Sequence, residues 1–248
     1  MQAPPLRSKE AMAVDAVRAI DVIAEVVRDA RPGETPARLC AVAVKLLPVV
    51  GASVSLRSSG MLIRLAANNS LALYLADAQT TVGDGPWLYA YRTGAPMLAC
   101  NLTTGRDMHR WPVFARQATA VGVQAVYSMP LGSDDGLTVG TLDLYRDTPG
   151  DLTEDELRRA QLVAAVMTLA LTALPREESG SGGEEAWLAG LADEHDEVYQ
   201  AIGMVMAQLG VDAEEASARL RARAFAQGRT VLEVAHDVIS HRERLDCD

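Results

Sequence analysis

Four arginines, Arg219, Arg221, Arg223 and Arg229, fall between Ala218 and Thr230 with no acidic residue among them. A guanidinium is a planar fork of donors that fits phosphate oxygens and stacks on splayed bases, so this cluster points to recognition of looped RNA. On a helix Arg219 and Arg223 share a face and Arg221 lies on another. A solvated helix face accounts for the same residues without any ligand. The lysines are only Lys9 and Lys45, so nearly all positive charge is arginine. The base composition of coding DNA explains that bias as readily as function does.

A second constellation is aromatic. Tyr74, Trp87, Tyr89, Trp111, Phe114, Tyr127 and Met129 come from one irregular stretch and the strand after it. Rings and a thioether with a few polar groups suit a small organic ligand. The same side chains would also serve as plain core above a sheet. Catalytic spacing is missing: there is no nucleophile elbow, phosphate-cradling loop or metal-ligand motif. Cys40, Cys100 and Cys247 are an odd number without motif spacing, which fits a reducing cytoplasm rather than a disulfide framework. His109, beside Met108 and Trp111, is a weak haem ligand and is expected at the surface or at a helix end. The expectation is a protein with no cofactor, no metal and no catalytic residues.

Bulk properties narrow the partners. The net charge of −10 argues against indiscriminate adhesion to nucleic acid or anionic membrane, while leaving room for a local basic face. The first ten residues hold no apolar signal core, and no window is apolar enough to span a bilayer. A cytoplasmic protein is expected.

The elements that would position these residues follow from periodicity. A helix over about 9–29 carries Ala13, Val17, Ile20, Ala24 and Val27 on one face. Pro32 and Gly33 stop it, and Thr35 with Pro36 opens a second helix to about Leu47. Val54 and Leu56, then Ile63 and Leu65, alternate around a turn at Ser58–Gly60. Residues 96–99, 125–131 and 138–145 also read as strands, the last two joined by a loop at 132–136. Thr153 caps a long helix to Leu174. The arrangement is α+β: a central antiparallel sheet with helices on one face and ligand-sized loops on the other.

Arg176 to Glu185 is a run of Gly and Ser between acidic pairs, which cannot bury apolar area. It marks a flexible linker over 175–186. Beyond it Leu188, Leu191, His195, Val198, Ile202, Val205 and Leu209 form a heptad seam, which must pair in cis or in a dimer. Gly210 ends that helix, Asp212 with Glu215 opens the next, and Thr230 caps a last one with Leu232, Ala235 and Ile239 inward.

The segment Gly83-Asp84-Gly85-Pro86, followed by Arg92-Thr93-Gly94, Arg110–Phe114, Gly122–Leu131 and Val139–Tyr145, resembles a GAF domain. The resemblance covers about 10–174 and implies a six-stranded antiparallel sheet with a small-molecule pocket. Relatives often carry Cys and Asp where this chain has Trp87 and Tyr89, whose rings shrink that pocket. Some relatives reduce methionine sulfoxide with paired cysteines, a pattern that Cys40 and Cys100 do not match.

Ala201-Ile202-Gly203-Met204-Val205-Met206, Glu215-Ala216, Leu220-Arg221, Ala224, Gly228-Arg229 and Val234-Ala235 resemble the ANTAR family, an all-α three-helix domain, here over 187–245. That resemblance implies binding of paired RNA hairpins near terminators, so that polymerase reads through. The family's lysine is Ile202 here. GAF followed by ANTAR is a recurring order in actinobacterial regulators. It implies a transcription antitermination regulator, with an unidentified small-molecule ligand and a homodimer formed through the terminal helices. The rivals are a dimeric GAF-based interaction protein that does not bind RNA, and a redox or haem sensor.

Overall fold

A computed structural model describes residues 20–26, 28, 34–58, 61–132, 138–172 and 193–245. The expected linker, the turn at 59–60 and the loop at 133–137 lie outside the described residues, as do the seam residues Leu188 and Leu191.

Helix α1 covers 20–26, and α2 runs over Thr35–Leu46, with Glu34 rather than Thr35 in the cap position. Strands β1 (Gly51–Ser58) and β2 (Met61–Ala67) form the first hairpin. Helices α3 (Ser70–Val82) and α4 (Pro86–Thr93) follow, then β3 (Met97–Ala99), α5 (Gly105–Arg110) and α6 (Pro112–Ala120). Strands β4 (Ala125–Gly132) and β5 (Thr138–Arg146) make the second hairpin, and α7 (Glu154–Thr172) closes the first domain. Thr153 and Glu156 exchange hydrogen bonds at the start of α7, the reciprocal cap expected there.

The strands pair antiparallel in the order β2-β1-β5-β4-β3. Five strands, not six, are present among the described residues. Helices cover both faces rather than one. On the first face Val54, Tyr127, Met129, Leu142 and Leu144 pack against Leu39 and Ala43 of α2 and Val163 and Met167 of α7. On the second face Val126 and Tyr145 meet Leu75 of α3, Trp111, and Phe114 and Ala118 of α6. The long connection between β2 and β4 supplies the helices of the second face.

The C-terminal helices are α8 (Asp193–Leu209), α9 (Ala213–Gln227) and α10 (Val231–Ile239). Asp212 accepts a hydrogen bond from the Glu215 amide, and Thr230 with Glu233 forms a complete capping box. Val198, Ile202 and Val205 of the heptad seam are buried against Ala216, Leu220, Val231, Val234 and Val238. The described part of the seam is therefore satisfied in cis. Leu232 and Ile239, expected inward, are only partly buried; Val231, Val234 and Val238 fill the core positions instead. Among the described residues no helix is long and apolar enough to cross a membrane.

Candidate ligand pocket and nucleic-acid interface

The second face of the sheet has a polar floor. Ser53 of β1, Asp143 of β5 and Ser128 of β4 lie directly opposite one another across three strands, and Ser55 pairs with Thr141 beside them. All five are buried. Side chains alternate along a strand, so Leu142 and Leu144 face the aliphatic core while Thr141, Asp143 and Tyr145 face the other way. Ser128 donates a very short hydrogen bond to Asp143, and the Thr141 hydroxyl donates to it at 3.3 Å. Burial pushes the Asp143 carboxyl up to about 7, although the bonds from Ser128 and Thr141 favour its charged form. Tyr145 and Ser53 share a hydrogen bond of 2.9 Å.

Helices α3 and α4 lie over this second face, and the Gly83–Pro86 turn joins them. Gly83, at φ 70°, is the left-handed cap of α3, and Pro86 starts α4. At Gly85 the constraint is close approach: a Cβ there would lie 2.5 Å from Oε1 of Gln79 and 2.9 Å from Cδ1 of Trp87. Gln79 is buried on α3 and accepts from the Trp87 amide at 3.5 Å. The indole N–H groups of Trp87 and Trp111 are buried without an acceptor. Arg110 stacks 3.9 Å from the Tyr89 ring and 4.8 Å from the Trp111 ring, and the two rings meet edge to face at 5.7 Å.

The seven expected pocket residues therefore divide. Trp87, Tyr89, Trp111 and Phe114 belong to helices or helix ends over the second face, where Tyr89, Trp111 and Phe114 share one apolar cluster. Tyr127 and Met129 lie on the opposite face, in the core under α2 and α7. Tyr74 is 41% exposed on the outside of α3. The polar floor itself was missed. Strand alternation could have found it, since Ser53, Ser55, Ser128, Thr141 and Asp143 sit at the positions between the aliphatic ones.

Burial raises the thiol of Cys40 to about 12, with the nearby Asp143 charge adding to it. Burial, then Asp151, raises Cys100 to about 12. His109 is exposed and bonds the Gly105 carbonyl of its own helix at 2.6 Å. Among the described residues no group of three or more His, Cys, Asp or Glu side chains could hold a metal.

The arginine cluster sits on α9 and at the start of α10, where acids from elsewhere in the chain meet it. Arg219 pairs with Glu215 at 2.8 Å, one turn back. Arg223 pairs with Glu243 at 2.5 Å; Arg229 reaches Asp237 at 2.6 Å and Glu243 at 3.3 Å. Gln227 also donates to Glu243. Partial burial raises the Glu243 carboxyl, but the bonds from Arg223 and Gln227 and both arginine charges outweigh it and hold the group below its usual range. Arg223 and Arg229 are thus part of a clamp that ties the chain end to α9. Arg221 is the member of the set with no ion pair among the described residues. Ile202, at the position of the family's lysine, is 3% exposed in the helical core.

Comparison with known proteins agrees with both halves. The GAF domain family model matches residues 29–172, and the ANTAR domain model matches residues 188–239. No curated protein matches. Among solved structures, the chain is similar to free methionine-R-sulfoxide reductase from Neisseria meningitidis at 17% identity and a TM-score of 0.49, covering 68% of this chain and 95% of that one. It is also similar to a GAF domain of a phosphoenolpyruvate-protein phosphotransferase from Coxiella burnetii, at 13% identity and a TM-score of 0.49, covering 64% and 94%. An A. aeolicus GAF domain in an inactive state shares 12% identity at a TM-score of 0.48, covering 65% and 98%. Matched over more than half its length by the one model and over residues 188–239 by the other, the chain belongs to the GAF domain family, in the form that carries a following ANTAR domain.

Proposed function

We infer that this protein is a signal-responsive transcription antitermination regulator of the cytoplasm, with no catalytic step of its own. The observation that carries the reading is the succession of a GAF domain and an ANTAR domain in one chain. The GAF domain takes a small molecule between the sheet and α3–α4. Asp143, Ser128 and Thr141 form its polar floor, and the Trp87 and Trp111 indoles are donors awaiting an acceptor. A buried N–H without a partner costs about 1–3 kcal/mol, so a ligand oxygen placed there would recover that cost. The ANTAR helices bind RNA hairpins near terminators, with Arg219 and Arg221 on phosphate or loop bases. Arg223 and Arg229 contribute only as far as the Glu243 clamp leaves them donors. Ile202 contributes packing rather than a contact to RNA. Val198, Ile202 and Val205 are already used in cis, so a homodimer pairs through surfaces other than these three residues.

The test is transcription in vitro through a terminator preceded by tandem hairpins. Read-through rises on adding the protein and stays flat when the hairpins are scrambled. Equal read-through on both templates sinks the reading.

A further inference from the structure

The two domains are in contact, and the contact uses an arginine of the RNA-binding set. Ile63 belongs to β2, the edge strand of the sensor sheet, yet it is 9% exposed and packs into the ANTAR core cluster. Helix α9 lies against α3. At the end of α3 the Arg221 side chain covers Gly83 so closely that a Cβ on Gly83 would stand 2.8 Å from its Nε. A side chain there would be strained by the left-handed backbone and would push the Arg221 side chain off its seat. The Gly83–Pro86 turn is therefore also the seat of an ANTAR arginine. Contact with the sensor removes water from the guanidinium, and this lowers its affinity for a proton.

Helix α3 has two working sides. Leu75 and Gln79 face the sheet and Trp87. Arg64, Asp77 and Thr80 line a cleft with Val198, Val231 and Leu232 of the ANTAR domain. Two contacts in this cleft lie within the sensor: Arg64 pairs with Asp77 at 2.9 Å, and Thr80 donates to the Leu62 carbonyl at 3.0 Å. The cleft is incompletely filled and its lining is half polar, with Arg64, Asp77, Thr80 and Thr230 beside Ile63, Val198, Val231 and Leu232, as expected of a contact that opens. Any ligand that shifts Gln79 or Trp87 displaces the same short turn on which Arg221 rests.

We propose that the face of α9 carrying Arg221 serves two partners in turn, the α3–β2 edge of the sensor in the silent state and RNA in the active one. Release turns on Ile63 leaving the ANTAR core and Arg221 leaving Gly83. The proposal rests on the RNA-binding reading above and adds the mechanism by which the sensor withholds RNA binding. A ligand favours release by as much as it prefers the open form over the docked one.

The full-length chain tests this with a charge placed on either side of the seam: Ile63→Asp from the sensor, and Leu232→Glu from the ANTAR domain. Thermal melts establish that each variant folds, and two sides guard against one failing. Small-angle scattering and hydrogen exchange in α3 and α9 report docking; filter binding to tandem-hairpin RNA reports the output. Both variants are expected to have a larger radius of gyration, faster exchange in α3 and α9, and at least about ten-fold tighter RNA binding, within the usual range of allosteric coupling. Adding Arg221→Ala removes that gain. Undocked variants with unchanged or weaker RNA binding overturn the proposal while wild-type preference for hairpins leaves the RNA reading standing. Variants that stay docked also overturn it. If no form of the chain prefers hairpins, both readings fall together.

Discussion

The sensor and the ANTAR domain handle charge in opposite ways. In the sensor a carboxyl group, Asp143, is buried entirely within the sheet and held by the hydroxyls of Ser128 and Thr141. In the ANTAR domain the buried cluster is aliphatic with Ser217 also buried, and the carboxylates of Glu243 and Asp237 are gathered by Arg223, Arg229 and Arg242. A buried carboxyl is retained at a cost to folding, so it marks a place where stability has been given up for chemistry. A surface clamp costs little and is screened by salt, so it holds a shape without committing a site. Under the proposed function, the difference matches where each domain would meet its partner: the sensor in its interior, the ANTAR domain on its outside.

The largest break in this contrast is Asp143→Asn. The folded carboxyl titrates near 7 against an ordinary 3.8. Below about pH 4 the group is neutral in both states and costs nothing. As pH rises toward 7 the unfolded chain ionises first, so the folded state loses stability, up to about 4 kcal/mol. The variant should therefore melt higher than wild type at pH 8, with the gap closing by pH 4; calorimetry across that range checks it. A constant gap at all pH values would mean that Asp143 is charged in the folded protein throughout.

Next comes Leu220→Ala, which empties a fully buried site where all three ANTAR helices meet. A loss of about 3 kcal/mol is expected. Chemical denaturation followed by helical dichroism measures it, and a loss under 1 kcal/mol would mean the core collapses around the gap.

Much of this was legible in the sequence, and the parts that were not have physical reasons. Caps are local, so Asp212, Thr230 with Glu233, and the left-handed Gly83 and Gly210 could be read from adjacent residues. The arginine cluster was legible as a cluster, but Glu243 lies 20 residues from Arg223, and only the fold brings them together. The aromatic set was read by residue type and not by strand parity, so Tyr127 and Met129 were grouped with residues that lie over the opposite face. Leu232 was placed in the core by its hydrophobicity, while in three dimensions it borders the cleft against the sensor. Sheet order and domain docking depend on partners far apart in the chain, and no local period encodes them.

Smaller effects sharpen the surface side of the comparison. Thr230→Ala removes the capping box of α10 and should cost about 1 kcal/mol, read from the melt of the helical domain. Glu243→Gln loosens the clamp by less than about 1 kcal/mol at low salt, and the effect should vanish in high salt. Because its folded carboxyl titrates below the ordinary value, this contribution is present above the unfolded pKa and is lost as pH falls through the folded one. An effect that persists in high salt would place Glu243 in a buried network instead.

The central claim is that Arg219 and Arg221 carry RNA recognition while Arg223 and Arg229 mainly hold the clamp. Filter binding of the full chain to tandem-hairpin and scrambled RNA, as a function of salt, tests it most directly when Arg219→Ala/Arg221→Ala is run beside wild type. The account predicts that wild type prefers the hairpins and weakens steeply with salt. The double variant, folded as judged by its melt, should lose the preference and about one unit of salt slope per arginine. Equal affinity for the two RNAs, or a double variant indistinguishable from wild type, would contradict it.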